Sequence, residues 1–379
     1  MDDGRRSKLI PVAVGLWVVA VLVVLVHVWL KPEANTLYKV FRAGGARWLA
    51  TQNLYPKVDE YIYSPFAAAF FAPMAMLPDR VGGIVWRLLS VGAFAGAFAA
   101  WRPKALAWIL LLPLSVGDIF NGQANPFVIG LLMLAVVACR RERWFLGALC
   151  VGVATYFKVY PLAMGLLLVV LYPTQFGWRL VVALVAIFGL SLVLQRPAYV
   201  LTQYGNWVQT LGKDPRRTLH YFGTYRDFWL LLRVLRIPIS TQGWAVLQAA
   251  SGAALAVYLF LVQRRGISAE TLDFLLLALC TCWMLLFGPA TESSTYVILA
   301  PPLMLAGLLW TRQPYFKAAA ACYALLLASQ MLSSWGHQYQ SPYTHLVQPV
   351  GAMIFAAALL TYGWLPQPEP VPAMEAQKA

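Results

Sequence analysis

The sequence predicts an all-helical protein that crosses a membrane many times. Of its 379 residues, 60% are apolar and 12% are charged, whereas a soluble domain usually carries about 25% charged residues. The apolar residues fall into blocks that predict about 12 membrane-crossing helices. The five cysteines all lie inside apolar runs, where thiols usually act as small core residues, so no disulfide framework is expected.

The first block follows a short basic N-terminus. Residues Leu9–Leu30 are predominantly apolar and long enough to cross a bilayer, which takes about 20 residues. The block is too long for the apolar region of a signal peptide, and Lys31, Pro32 and Glu33 follow it instead of a small-residue cleavage site. We therefore expect a first membrane helix that is retained.

The remaining blocks are separated by charges, prolines and polar clusters. They are Val81–Ala100, Ala105–Phe120, Asn125–Cys139, Trp144–Phe157, Val159–Tyr172, Leu180–Leu194, Trp244–Val262, Leu272–Phe287, Tyr296–Trp310, Phe316–Leu332 and Leu346–Trp364. Pro65 and Pro73 break the stretch Tyr63–Leu77. We expect this stretch to form a juxtamembrane or re-entrant helix on the outer face, packed against protein.

Basic residues in the short connections set the orientation, because short cytoplasmic loops hold an excess of Lys and Arg. With a cytoplasmic N-terminus, every basic short loop falls on the cytoplasmic side. These loops contain Arg102, Lys104, Arg140, Arg141, Arg143, Arg179, Arg264, Arg265, Arg312 and Lys317. The sequence thus predicts a multi-pass protein of the cell (inner) membrane with both termini in the cytoplasm.

The predicted organisation is one transmembrane domain over residues 1–379. Residues 31–80 and 195–243 form two long extracytoplasmic segments, and residues 365–379 form a cytoplasmic tail. The outer segments contain many Lys and Arg residues, which favours an anionic partner at the outer leaflet, with nonspecific binding of lipid headgroups as the alternative. Membrane lipid is an expected partner and nucleic acid is not.

A turn of amides and one carboxylate is predicted at the outer mouth of two short helices. Residues 117–125 contain Asp118, Gln123 and Asn125. Polar groups beside membrane spans are costly, so this composition indicates a binding site. Helix capping is the alternative, because Asp, Asn and Gly favour such turns.

Lys158 interrupts a run that is otherwise nearly continuously apolar. Tyr160 and Pro161 follow it, and Pro161 is expected to open the next helix. An ammonium between two helix ends can bind a phosphate, helped by the positive N-terminal end of the following helix. The alternative is that Lys158 extends to the outer interface.

Arg226 and Asp227 precede a predicted interfacial helix in the second long outer segment. Arg233 and Arg236 are expected to share one face of that helix, a pattern typical of contact with lipid phosphates. Asp227 beside Arg226 is alternatively an ion pair with no further role.

Glu292 lies at the outer end of another helix, among several hydroxyl residues. A carboxylate there is a candidate general base or a ligand for sugar hydroxyls. Capping of the following helix by Ser293 or Ser294 is the alternative. No His, Cys, Asp or Glu spacing resembles a metal site, and the sequence contains no Walker loop or Gly-rich nucleotide cradle, so neither a metal nor a cofactor is predicted.

Five strings together resemble the polyprenol-phosphate-sugar-dependent glycosyltransferases of family 87, integral membrane enzymes of the GT-C architecture. They are Asn53–Pro56, Tyr61–Phe66 with Ala72–Pro78, the turn Asn121–Asn125, Lys158–Pro161 and the turn Gly288–Glu292. The resemblance implies a GT-C-like fold with juxtamembrane helices in the first outer loop. It also implies an inverting transfer of a hexose, most simply mannose, from a polyprenyl phosphate to a glycolipid or glycan acceptor at the outer face.

The resemblance also implies roles for the polar residues, because such a transfer needs a carboxylate for the acceptor hydroxyl and cations for the departing phosphate. The candidates for the carboxylate are Asp118, Asp227 and Glu292. The candidates for substrate binding are Lys158 and Arg226 at the phosphate, Arg42 as a further cation, and Tyr160, Gln123 and Asn125.

This chain departs from the family in the first outer loop. Family members usually place an acidic catalytic residue there, but residues 35–43 contain no carboxylate. Either Glu33 serves from an adjacent turn, or another segment supplies the base, or the chemistry has changed. The family's usual His near Glu292 is also missing, and Ser294 and Thr295 stand in that region.

Two alternatives to an enzyme remain at this stage. One is a secondary transporter or flippase of lipid-linked sugar, and the other is an inactive homologue that binds such a lipid. Transporters favour internal repeats and charges near the bilayer midplane. The two halves of this sequence show no convincing repeat and its ionisable groups lie near the outer helix ends, which favours an enzyme.

Overall fold

The computed structural model describes residues 3–34, 36–56, 61–212, 225–289, 291–309, 315–334 and 341–364. The predicted tail over residues 365–379 lies outside these ranges, as does Arg312. Within them the regular structure is helical, without strands. The α-helices, numbered in chain order, are α1 Asp3–Leu30, α2 Tyr38–Leu49, α3 Pro65–Ala75, α4 Asp79–Ala100, α5 Ala105–Asn121, α6 Asn125–Arg140, α7 Trp144–Phe157, α8 Leu162–Leu171, α9 Trp178–Leu194, α10 Pro197–Gly212, α11 Phe228–Val234, α12 Thr241–Arg264, α13 Ala269–Leu286, α14 Ala300–Leu309, α15 Tyr315–Ser334 and α16 Pro342–Tyr362.

Two short helices of other types complete the path of the described chain. A π-helical turn, Pro173–Gly177, leads directly into α9, and a 3-10 helix, Ser293–Leu299, leads directly into α14. By length and composition, 7 helical segments of the described residues can cross a membrane, and α5, α6, α7, α8 and the 3-10 helix with α14 are shorter apolar helices. With α3 set aside, these long and short segments correspond one for one to the predicted blocks. The predicted all-helical, multi-pass class is confirmed.

The centre of the bundle is formed by α6 and α13, which are buried on nearly all sides. A helix that is apolar all round needs neighbours on every face, and α6 contacts α4, α7 and α13. A Cβ at Gly130 of α6 would lie 2.8 Å from the Ala93 carbonyl carbon of α4, so these two backbones approach as closely as small residues permit. By contrast, α1, α9 and α12 carry outward apolar faces, as expected where lipid replaces water.

The stretch that was predicted not to cross the membrane forms α3. Ser64 is its N-cap and accepts a hydrogen bond from the backbone N–H of Ala67 at 3.2 Å, while Pro65 occupies the first helical position, a typical start signal. The Ser64 hydroxyl also donates to the carbonyl of Tyr156. This bond ties the start of α3 to the last turn of α7.

The two long outer segments predicted from the sequence contact each other. Gln203 of α10 accepts a hydrogen bond from the backbone N–H of Leu54 at 2.9 Å, and the Trp207 indole donates to the carbonyl of Ile62 at 3.0 Å. Gln203 is buried, so this polar contact is enclosed by the protein. We refer to α2, α3, α10 and residues 50–56 and 61–64 as the cap.

One element of the second long segment differs from the prediction. Helix α11 ends at Val234, and Arg236 lies beyond it with a positive φ of 58°. Hydrogen bonds from the Arg236 N–H to the Arg233 carbonyl and from the Ile237 N–H to the Leu232 carbonyl close the helix end, as in a Schellman motif. The predicted helix face shared by Arg233 and Arg236 is therefore wrong.

Candidate active site

The α5–α6 turn begins with a buried carboxyl. Asp118 lies in the last turn of α5, and Gly122, with a φ of +65°, ends the helix. The Gly122 N–H bonds the carbonyl of Ile119 at 3.1 Å and the Gln123 N–H bonds that of Asp118 at 2.9 Å, which is the Schellman pattern. Capping thus explains Gly122, while the Asp118 carboxyl takes no part in it.

The side chain of Asn125 connects this carboxyl to two other segments. Its amide nitrogen lies 3.4 Å from Asp118 Oδ1 and 3.0 Å from the carbonyl oxygen of Ser294. Its amide oxygen accepts a hydrogen bond from the Tyr160 hydroxyl at 3.4 Å. Asn125 has no exposed surface, so the structure brings Asp118, Asn125 and Tyr160 together as one buried polar network.

Lys158 lies at the edge of this network, between the end of α7 and the start of α8 as predicted. Its ammonium nitrogen is 5.7 Å from the centre of the Tyr160 ring, and the side chain is half-buried. The charges of Lys158 and Glu292 both act electrostatically on the Asp118 carboxyl. A positive charge near Asp118 is favourable, because a carboxylate in the last turn of a helix faces the negative end of the helix dipole.

Tyr160 contributes a phenolic hydroxyl to the buried network. It lies in the connection between α7 and α8, where burial raises the pKa of its phenol well above the ordinary value, and Tyr63, Asp118 and Glu292 raise it further. The phenol therefore stays protonated at neutral pH and serves as a hydrogen-bond donor.

Glu292 begins the 3-10 helix and is exposed. Its side chain accepts from the backbone N–H of Thr295, and the Thr295 hydroxyl accepts from the Glu292 N–H at 3.2 Å. This is a capping box, so the following helix is capped by Glu292 itself and not by Ser293 or Ser294, which were the alternative. The Glu292 carboxylate therefore caps the 3-10 helix. It is also exposed, and it lies only two residues before Ser294, whose carbonyl contacts Asn125.

Arg226 holds the segment that contains Glu292 in place. Its backbone N–H donates to the carbonyl of Thr291 at 2.8 Å, and its carbonyl accepts from the Tyr296 hydroxyl at 2.9 Å. The guanidinium Nη1 donates to Gln348 Oε1 at 2.9 Å and lies 3.2 Å from the Ser329 hydroxyl. The side chain is buried, and burial lowers the pKa of the guanidinium.

Gln348 and Ser329 were missed by sequence reasoning. Besides accepting from Arg226, Gln348 donates to the carbonyl of Ser293 at 3.3 Å, so it holds both sides of the Glu292 turn. Both residues are fully or almost fully buried. Both could have been noticed in the sequence, because each is a polar residue inside an otherwise apolar span, and such residues are candidates for a functional or structural role.

Asp227 has a local structural explanation. It is the N-cap of α11 and its Oδ1 accepts from the backbone N–H of Leu230 at 3.1 Å. The side chain is almost fully buried. A buried Asp at an N-cap satisfies one of the helix's first N–H groups.

In the described part of the chain, the last two predicted residues, Arg42 and Gln123, make no side-chain hydrogen bond to the buried network of Asp118, Asn125 and Tyr160. Arg42 of α2 forms an ion pair with Asp79 at the start of α4, and both side chains are about one-third exposed. The half-buried Gln123 contributes its backbone N–H to the end of α5. Within the described residues, no group of His, Cys, Asp and Glu side chains is arranged to hold a metal ion.

A cavity of about 1260 Å³ lies elsewhere, between α1, α4, α5, α14 and α15. Its lining is almost entirely apolar and includes Trp17, Trp108, Met304 and Tyr323, with Lys104 at the start of α5. Asp118 is near the opposite end of α5, and none of the predicted site residues lines this cavity. The cavity suits a hydrocarbon chain, and its lining contains no carboxylate.

Residues 61–289, well over half of the chain, match the profile of glycosyltransferase family 87. The matched segment contains Asp118, Asn125, Lys158, Tyr160, Arg226 and Asp227, and it ends shortly before Glu292. Among the solved structures, the chain is similar to the crystal structure of ArnT from Cupriavidus metallidurans bound to undecaprenyl phosphate, with a TM-score of 0.42, 14% identity, and coverage of 92% of this chain and 77% of that chain.

Two curated relatives have the name polyprenol-phosphate-mannose-dependent alpha-(1-2)-phosphatidylinositol pentamannoside mannosyltransferase. The protein from Mycobacterium tuberculosis is 32% identical over 152 residues, which are 35% of this chain and 34% of that protein. The protein from Mycolicibacterium smegmatis is 30% identical over 190 residues, 43% of this chain and 44% of that protein. The alignments thus span less than half the length of these relatives.

Proposed function

Because this chain belongs to glycosyltransferase family 87, we propose that it transfers a hexose, most simply mannose, from a polyprenyl phosphate to a glycolipid or glycan acceptor. The names of the two mycobacterial relatives support a lipid-linked mannose donor. The observation that carries the proposal is the buried network of Asp118, Asn125 and Tyr160 with Lys158 at its edge. It combines a carboxylate, hydroxyl and amide groups for sugar, and a cation for phosphate.

We assign the general base to Asp118. Asp227 and Glu292 both cap helices, whereas the Asp118 carboxyl has no capping role and contacts the side chain of Asn125. Asp118 would accept the proton of the acceptor hydroxyl while that oxygen attacks the anomeric carbon. The bond between the anomeric carbon and the phosphate oxygen breaks in the same step, so a single displacement inverts the anomeric configuration.

The leaving group of this step is a polyprenyl phosphate, whose charge needs stabilisation. Lys158 supplies the direct cation. The first backbone N–H groups of α8 bond the carbonyls of Val159, Tyr160 and Pro161, so α8 contributes mainly through the positive end of its dipole. Arg226 adds a buried positive charge behind the Glu292 turn, and Arg42 of the cap, paired with Asp79, is a further candidate.

Glu292 and the amides of Asn125 and Gln123 would hold sugar hydroxyls. The cap adds Tyr63, which is close enough to act electrostatically on Tyr160 and whose ring centre lies 5.6 Å from that of the buried Tyr61. Tyrosine rings present an apolar face for a sugar ring and a hydroxyl for its edge. The site would face the extracytoplasmic side, because the basic short loops lie at the other ends of the same helices.

The test is a transfer assay with purified protein in lipid nanodiscs and an acceptor lipid extract. Radiolabelled mannose is supplied either as polyprenyl-phosphate-mannose or as GDP-mannose. The proposal expects labelled lipid product from the first donor and none from the second. If the protein binds polyprenyl-phosphate-mannose but forms no product from it, the proposal that it is a transferase is wrong. Movement of the donor between vesicle leaflets would then identify a flippase.

A further inference from the structure

Arg87 is a charged residue in the middle of an apolar span, and neither the sequence prediction nor the proposed function uses it. It is 2% exposed and lies in the first half of α4. Its Nη2 and Nε donate to the carbonyl of Phe120 at 2.7 and 3.2 Å. Its Nη1 donates to the carbonyl of Gly83 at 3.1 Å, and Nη2 also donates to the Thr36 hydroxyl at 3.1 Å. The side chain thus links α4, the residues before α2, and the end of α5.

Three successive carbonyls at the end of α5 accept hydrogen bonds from α4 and from the residue before α2. Phe120 accepts from Arg87, Asn121 accepts from the backbone N–H of Leu37 at 2.8 Å, and Gly122 accepts from the Trp86 indole at 2.8 Å. The last carbonyls of a helix have no partner within the helix. Here each of the three is bonded to another element, so the end of α5 is fixed from outside.

Asp118 lies only two residues before the first of these carbonyls. Its carboxyl contacts the side chain of Asn125, on the next helix, so its direction depends on how the α5 backbone is held relative to α6. The guanidinium also places a positive charge at the negative end of the α5 dipole.

We infer that Arg87 is a positioning residue: it fixes the end of α5 so that the Asp118 carboxyl stays aligned for transfer, and in this it rests on the proposed function. Arg87 contacts no substrate in this account. The planar guanidinium is needed for these contacts, because Nε and Nη2 both donate to the Phe120 carbonyl and Nη2 also donates to the Thr36 hydroxyl. A lysine presents one ammonium and cannot reproduce this arrangement.

The first test compares Arg87→Lys with Arg140→Lys in the mannose-transfer assay. Arg140 is a suitable control because it also forms a bond to a buried partner, with its Nε 2.6 Å from Asp273 Oδ2, and it lies at the other end of α6. We expect Arg87→Lys to lower kcat by about 10- to 100-fold, as misplacement of a catalytic group does, with little change in the donor KM. Arg140→Lys is expected to keep the kcat of the wild type.

The second test measures hydrogen–deuterium exchange of the peptide covering residues 118–125. Arg87→Lys should raise exchange there and Arg140→Lys should not. Thr36→Val, which removes one partner of Arg87 while preserving side-chain volume, should give a smaller change in the same direction and replaces Arg87→Lys if that variant does not fold. Wild-type kcat in both variants, unchanged exchange, or an equal increase over all outer segments would overturn the inference. A wild-type protein that transfers no sugar would instead refute the proposed function, and exchange alone would then decide whether Arg87 orders this turn.

Discussion

The three candidate carboxyls differ in what their immediate surroundings require of them. Asp227 and Glu292 bond the first N–H groups of a helix, so a structural role accounts for an acidic or polar residue at each position. Asp118 has the opposite position, at a helix end where its charge is unfavourable. A buried carboxyl that contacts a buried amide and has no capping role is expected where chemistry uses it.

Lys158 offers a residue-scale prediction about the donor phosphate. Replacing Lys158 with Ala removes a charged hydrogen bond, so the donor KM should rise about 10-fold or more. Lys158→Arg should restore part of the affinity because it keeps the charge. Enzyme kinetics at varied donor concentration give both values. Lys104→Ala at the other end of α5 is the matched control, and an equal effect of that variant would show that net charge, not the site, governs binding.

The sequence predicted those site residues that interrupt an apolar run. Asp118, Asn125 and Lys158 interrupt apolar runs next to helix ends, and the structure brings them together with Tyr160. Arg87 and Gln348 also stand inside apolar blocks, but their partners Phe120 and Ser293 are far away in the sequence. Local pattern alone does not identify a partner of that kind, so their roles became visible only in the folded chain.

At the scale of elements, the end of α5 determines the geometry of the site. Gly122 combines a φ of +65° with close packing, since a Cβ there would lie 3.3 Å from the Arg87 guanidinium. Gly122→Ala should therefore destabilise the protein by about 1 kcal/mol or more and also lower transfer activity. Thermal unfolding in detergent and the transfer assay measure the two effects.

Gly266 provides the control for this element. It follows α12 with a φ of +75°, but a Cβ there would meet nothing within 4 Å. Gly266→Ala should lower the melting temperature through backbone strain and keep the activity of the wild type. If both alanine variants lose activity in proportion to stability, the end of α5 has no special importance.

Most element boundaries followed from composition. The predicted block Trp144–Phe157 coincides with α7, which ends before Lys158, and Ala105–Phe120 differs by one residue from α5, which ends before Gly122. The end of α11 was mispredicted because Arg236 adopts a left-handed backbone that the sequence does not signal, glycine and asparagine being the usual residues there. The hydrogen bond between Leu54 and Gln203 joins segments that are far apart in the sequence, so the contacts within the cap could be identified only in the folded chain.

Transfer at the outer face requires the site and the basic short loops to lie on opposite sides of the membrane. The five cysteines are buried, so a single new exposed cysteine reports its own side. Gln52→Cys in the cap should react with a membrane-impermeant maleimide in intact cells. Thr174→Cys, in the π-helical turn beside α8, should react only after lysis. The reverse pattern would place the site in the cytoplasm.

Asp118 is proposed as the base of a transfer from a polyprenyl-phosphate sugar. The most direct measurement compares kcat of Asp118→Asn and Asp227→Asn with polyprenyl-phosphate-mannose at saturation. Asn keeps the size of the side chain, and at position 227 it also keeps the helix cap. The account predicts a loss of about 10²- to 10⁴-fold in Asp118→Asn, the usual contribution of a general base, and near wild-type activity in Asp227→Asn. Full activity in Asp118→Asn, or a larger loss in Asp227→Asn, would contradict it.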